Sequence, residues 1–213
     1  SPGENWWAVP LSAKVPYGIE QIKVEQFVPK RSRPTSGAEF VSSRHFPDAQ
    51  QGDFMICNTI GFLGISFGKK ADDGAGFTGK ANGDLLTSTD GNFRPVDLEF
   101  APDGSLYFID WHNPLIGHMQ HNARDPNRDR ERGRIYRITY PQRPLVKPAQ
   151  VAGASVAELL EVLKEPEYRT RYRARRELRS HAPAKVLPAV KAWLAGWLVH
   201  PLFETAMVKK SKS

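Results

Sequence analysis

The chain has one cysteine, Cys57, among 213 residues. That excludes an intrachain disulfide and any zinc site built on paired cysteines. Cys57 lies in the apolar run Phe54-Met-Ile-Cys57 and reads as an inert buried thiol rather than a nucleophile. No apolar run approaches the roughly 18 residues of a membrane span. The opening Ser1-Pro-Gly-Glu4 has neither a charged start nor an apolar stretch behind it, so no signal peptide is expected here and the chain reads as a fragment. Phosphate-binding loops, dinucleotide-binding glycine patterns, a Gly-x-Ser-x-Gly elbow and a haem-attaching Cys-x-x-Cys-His are all missing.

What is abundant is punctuation: 17 glycines and 17 prolines, which point to many turns and a β-rich body. The net charge of +7 is unevenly distributed. Residues 1–121 hold 10 Lys/Arg against 14 Asp/Glu, whereas residues 122–213 hold 20 against 9. So sharp a break implies two differently built regions.

The clearest local signal is Phe93 to Trp111. Val96, Leu98 and Phe100 alternate with Asp97 and Glu99, the period-two pattern of a half-buried strand. Ala101-Pro-Asp-Gly104 supplies turn chemistry, and Ser105 to Ile109 is a second strand, so a hairpin is predicted. Upstream, Ile19 to Phe27 reads as a strand, Lys30 to Pro34 as a short basic loop and Glu39 to Ser42 as a weak strand. Residues 52–58 and 61–67 read as a second hairpin joined at Thr59-Ile60. Residues 68–83 read as a polar loop and Gly83 to Ser88 as a strand, and Asp72, Asp73 and Asp84, near glycines, read as turn residues rather than Ca²⁺ ligands. Gly133 to Thr139 is the last strand signal.

Beyond it the pattern changes. Tyr140 to Pro148 carries three prolines and predicts an extended linker. Ser155-Val-Ala-Glu158 is a capping box, followed by Val156, Leu159, Leu160 and Leu163 at helical spacing. Glu167 to His181 reads as a second helix with six arginines, and Pro183 opens a third. Short helices joined by short turns suggest a truncated HEAT-like repeat.

The segment 110–134 is richest in groups that do chemistry. His112, His118 and His121 lie within ten residues, and Asp110 would add a carboxylate to a metal site. The alternative is loop histidines bonding the backbone. Asp125, Asn127 and Asp129 place oxygen ligands as the opening of a Ca²⁺ loop does, but Arg130 stands where such a loop needs glycine. Arg94 offers a planar fork for a carboxylate-bearing ligand and Asp97 a base, if both face a central pocket; a structural Arg–Asp pair is the alternative. The arginines and tyrosines of 168–179 invite a nucleic-acid reading, which Glu161, Glu165, Glu167 and Glu177 oppose by pairing charge along the helix.

Several segments together carry a family resemblance. They are Ser43-Arg-His-Phe-Pro47, Asn58-Thr-Ile-Gly-Phe-Leu-Gly64, Asn92 to Gly104, Asp110 to Asn122 and Gly133-Arg-Ile-Tyr-Arg-Ile138. Over roughly residues 35–195 the chain resembles the large multidomain membrane-bound dehydrogenases of planctomycetes and their relatives. In those a β-propeller similar to glucose/sorbosone dehydrogenases is followed by HEAT-like helices and, usually, a cytochrome c domain. The resemblance implies a mainly β fold with an α C-terminal part: two to three propeller blades of antiparallel strands, then a truncated helical repeat. The implied divisions are 1–140 (end of a propeller), 141–152 (Pro-rich linker), 153–200 (partial repeat) and 201–213 (tail). It further implies pyrroloquinoline quinone with Ca²⁺ as cofactors, Arg94 and Asp110 as cofactor-binding residues and Asp97 and His112 as catalytic ones. His118, His121, Asp125, Asn127 and Asp129 would be the metal-binding candidates. The expected partners are the rest of the propeller, further repeats and a cytochrome c domain, in a periplasmic or secreted setting. A non-catalytic propeller–solenoid scaffold binding protein or polysaccharide is the rival expectation.

Overall fold

The structure is a computed structural model and describes residues 35–59, 62–114 and 125–198. It is mainly β with three C-terminal helices, and it divides into two units after Val146.

The first unit begins with a four-stranded antiparallel meander. Its strands are β1 (Thr35–Phe40), β2 (Phe54–Asn58), β3 (Gly64–Asp73) and β4 (Gly76–Thr87), in that spatial order. A three-stranded meander follows: β5 (Pro95–Phe100), β6 (Leu106–Asp110) and β7 (Arg134–Ile138). β1 and β2 pack against β5, so the first strands of the two sheets are neighbours. Gly37 makes the close approach possible, because a Cβ there would run into the backbone and side chain of Asp97.

The alternation in 95–110 does what its period requires. Leu98, Phe100, Leu106 and Phe108 are buried, while Glu99, Tyr107 and Ile109 face outward. The inward set joins Val41, Phe46, Met55, Cys57, Ile65 and Phe67 in one core. Phe46 meets Phe100 edge-on at 5.3 Å and Phe108 stacks on Tyr136 at 4.9 Å. Burial pushes the Cys57 thiol up to about 12, aided by the charge of Asp97, so the free thiol is unreactive at neutral pH.

The hairpin turn forms as predicted. Gly104 sits at φ +80 and has Ser43, Val146 and His45 where a side chain would go, so conformation and packing both require glycine. His45 Nε2 accepts from the Tyr140 amide at 2.9 Å, which fixes the proton on Nδ1, and Nδ1 donates to the Pro144 carbonyl at 2.9 Å. Arg143 grips Asp48 with two nitrogens at 2.8 and 2.9 Å. Both contacts strap residues 140–146 onto the 43–48 loop.

Two expectations need correction. Residues 68–83 are not a loop: β3 and β4 pair from Gly64↔Thr87 to Asp73↔Gly76, and Gly74-Ala75 make the turn with Gly74 at φ +55. Hydrophobic alternation fails there because both faces of the outer arm lie in water, as Phe77 at 70% exposure shows. The weak strand placed at 39–42 is instead Thr35–Phe40, and Val41 after it still bonds across to Gly52 and Asp53. The strand expected at 19–27 and the basic loop at 30–34 lie outside the described residues.

The second unit holds α1 (Val156–Val162), α2 (Tyr168–Leu178) and α3 (Pro183–Leu198). The capping box is present: Ser155 Oγ accepts from the Glu158 amide at 3.3 Å, and Glu158 Oε2 accepts from the Ser155 amide at 2.8 Å. Ala154, Leu159, Leu160, Ala174 and Leu178 form a separate small core. No helix among the described residues is long and apolar enough to cross a membrane.

Asp103 gives a test of the turn. Burial would raise its carboxyl pKa, but hydrogen bonds from Ser105 and the Arg137 guanidinium outweigh this and hold it below the usual 3.8. A depressed folded-state pKa stabilises above the unfolded value, and that contribution disappears as pH falls through the folded one. Asp103→Asn is therefore expected to lower the urea midpoint at pH 7 and to converge on the parent protein as pH falls through the depressed folded-state pKa.

Candidate functional site

Antiparallel pairing of β5 and β6 puts Arg94, just before β5, beside Asp110, the last residue of β6. The two residues engage each other through main chain and side chain. The Arg94 amide donates to Asp110 Oδ1 at 2.6 Å, and the His112 amide donates to the same oxygen at 2.8 Å. The Arg94 side chain reaches the other way. Nε donates to the Asn113 carbonyl at 2.9 Å, Nη1 to Thr59 at 3.0 Å and Nη2 to Pro114 at 3.2 Å. Thr59 follows β2, Arg94 precedes β5 and residues 113–114 follow β6, so one guanidinium ties three loops at one end of the sheets. Burial draws Arg94 below the usual arginine range, opposed by the charges of Asp110 and Asp90.

Around this clasp lies a charged cluster. His112 holds φ +50, the one non-glycine residue with positive φ among those described. Its Nε2 is 2.9 Å from Arg134 Nη2. Arginine only donates, so Nε2 accepts and the ring proton is on Nδ1. Nδ1 faces two carboxylates, Asp110 Oδ2 at 3.7 Å and Asp90 Oδ2 at 3.8 Å, both beyond hydrogen-bonding range. Asp110 is fully buried, and its Oδ2 and His112 Nδ1 are buried without a hydrogen-bond partner. Arg134 Nη1 approaches Asp90 Oδ2 at 3.3 Å. The Asn92 amide, with Arg134 and His112, holds the Asp90 carboxyl below its usual range.

The sequence candidates separate accordingly. Arg94, Asp110 and His112 come together. Asp97 does not join them: it lies on β5 against Gly37, accepts from the Leu98 amide at 2.9 Å and makes no ion pair with Arg94. The alternative of a structural Arg94–Asp97 pair does not form; the carboxylate beside Arg94 is that of Asp110, which accepts from the Arg94 amide. Asp125 accepts from the Asn127 amide and Asp129 from the amides of Glu131 and Arg132, so these carboxylates close local turns. The Glu131 amide leads the contacts that hold the Asp129 carboxyl low. His118 and His121 lie outside the described residues. Among the described residues no group of three or more His, Cys, Asp or Glu is arranged to hold a metal.

Sequence reasoning missed Asp90, Arg134 and Asn113. Asn113 is fully buried, its amide donating to Asn92 O at 2.8 Å and its side chain to Asp129 O at 2.8 Å. Asp90-Gly-Asn92 carried a turn signal; nothing in the strand pattern marked Arg134 as its partner.

Arg94→Lys keeps the charge but replaces a three-way fork with a single ammonium. Losing two charge-assisted bonds at roughly 1.5–3 kcal/mol each predicts destabilisation of about 3 kcal/mol or more, read as a lowered urea midpoint with unchanged slope.

A family model described as a domain of unknown function, DUF7133, matches residues 9–142, more than half of the chain. No curated protein and no solved structure matches the chain. The matched span contains the Arg94 clasp and every member of the charged cluster, and the chain belongs to the DUF7133 family.

Proposed function

We propose that this chain contributes two consecutive blades of a β-propeller to a quinoprotein-type sugar or alcohol dehydrogenase, followed by the first helices of a HEAT-like repeat, and that it has no activity alone. The observation that carries this reading is the arrangement of the two meanders: consecutive, antiparallel, and adjacent through their first strands β1 and β5. Successive blades around an axis have that relation. The loops tied by Arg94 all leave from one end of the strands, where a propeller carries its site.

The donor set suits the implied cofactors only in part. Arg94 commits three of its five side-chain N–H donors to backbone carbonyls, which leaves one on each terminal nitrogen for a quinone carboxylate. Asp110 Oδ2 and His112 Nδ1 are the buried polar atoms left over, and they fit a role in holding a proton. Pyrroloquinoline quinone, when bound with Ca²⁺, supplies a hydride acceptor for a substrate hydroxyl or aldehyde. The chain's own contribution is the rigid rim and the Asp110–His112 pair on it. Asp97, on the strand face, is the second candidate base.

The test is to express the longer natural reading frame and follow quinone-dependent dye reduction with sugars and alcohols, beside the 213-residue chain. Reduction by the former but not the latter is expected, with His112→Ala lowering turnover about a hundredfold or more. Failure of the intact protein to take up the quinone overturns the enzyme reading. It leaves the propeller–solenoid scaffold, which the bonding of Arg94 to three loop carbonyls also favours.

A further inference from the structure

The charge of the chain is not spread over both units. From Lys147 onward there are 13 Lys/Arg against 6 Asp/Glu, which is the whole of the net +7; the first unit is balanced. Much of this excess lies on α2. Thr170, Ala174 and Leu178 form its buried stripe. At 100° per residue the opposite face carries Tyr168, Tyr172, Arg175, Arg176 and Arg179, all exposed.

Three neighbouring glutamates are engaged away from that face. Glu158 is held in the capping box, Glu161 grips Lys164 at 2.6 Å and Glu177 accepts from the Gly153 amide at 2.9 Å. Glu167 is buried. Arg175, Arg176 and Arg179 have no carboxylate partner among the described residues, so the pairing expected along this helix does not extend to them. Arg175 lies over the Tyr168 ring at 5.4 Å and Arg176 over Tyr172 at 5.9 Å. Both guanidinium groups thus lie within cation–π range of a ring while their side chains stay exposed.

The geometry points to α2 as a docking face for an extended acidic segment of a protein partner. Exposed guanidinium groups can take carboxylates bidentately. Arg175 and Arg179 are one turn apart, about 6 Å along the axis. Alternate side chains of an extended peptide repeat at about 6.7 Å, so carboxylates at every second position meet successive arginines. A single-stranded nucleic acid fits less well, because it uses open aromatic faces for base stacking and here arginines lie over both rings.

The test uses fluorescence anisotropy with a labelled alternating Glu-Ser peptide and an oligothymidylate of equal charge. The full chain is expected to bind the peptide more tightly than the oligonucleotide at about 20 mM salt and about tenfold or more weakly at 200 mM. The triple change Arg175→Gln, Arg176→Gln, Arg179→Gln is expected to weaken binding at least about tenfold. Lys185→Gln with Lys191→Gln, on α3, should leave it within about twofold. Circular dichroism checks that the helices persist; if the triple variant unfolds, the single changes at 175 and 179 are read instead. No peptide binding at low salt, equal losses in the two variants, or tighter binding of the oligonucleotide overturns the proposal.

Discussion

Everything at the loop end of the sheets depends on how one arginine satisfies irregular backbone. Residues 59, 113 and 114 lie beyond the ladders, so their carbonyls lack strand partners, and a buried carbonyl without a donor is costly. A guanidinium has its donors in a fixed plane and can serve three carbonyls from three directions. Arg94 does so, and its own amide is taken by Asp110. The arrangement is reciprocal: the carboxylate orders the turn that presents Asn113, and the guanidinium holds that turn in place. A fully buried carboxylate is tolerable because two amides point at Oδ1 and Arg134 stands 4.0 Å from Oδ2.

The same end of the sheets is also where they come nearest. β1 crosses β5 at Gly37, and the core beneath is shared by aromatic residues from both meanders. A close strand crossing at the top and a continuous core below fix the two sheets against each other within the first unit, so the loops tied by Arg94 have a rigid base. The outer face of the second sheet contrasts with this. Ile109 and Ile135, paired across β6 and β7, are 45% and 73% exposed. That is the face a neighbouring blade would cover in the propeller reading.

Legibility in the sequence followed how local each signal was. The 93–110 hairpin and the Ser155 capping box were readable because strand period, turn residues and cap chemistry act within a few residues. The β3–β4 arm was not, because paired backbone in water needs no hydrophobic alternation and its Gly, Asp and Lys residues imitate a loop. At the rim, Arg94, Asp110 and His112 were recognisable as chemically able residues. Their grouping depended on the cross-strand register that sets Pro95 opposite Asp110, which no local signal encodes. Asp90 and Arg134, 44 residues apart, meet only through the fold. The arginines of α2 were visible, but which glutamates reached them was decided by caps and a loop amide, which helical spacing does not encode.

The two functional readings make different use of the same carboxylate. A purely structural clasp requires Arg94 and Asp110 Oδ1, and both are engaged. It gives no reason for Oδ2 to lie buried and unpartnered, 3.7 Å from a ring nitrogen that carries a proton it donates to nothing. Such atoms cost roughly 1–3 kcal/mol each, and closing the gap by under an ångström would recover much of that. Instead the chain holds His112 at a positive φ, uncommon outside glycine though less so for histidine than for most residues, and fixes its tautomer with Arg134. A proton can pass between the two only if the ring closes that gap to hydrogen-bonding distance, so proton handling at this rim requires His112 to move toward Asp110.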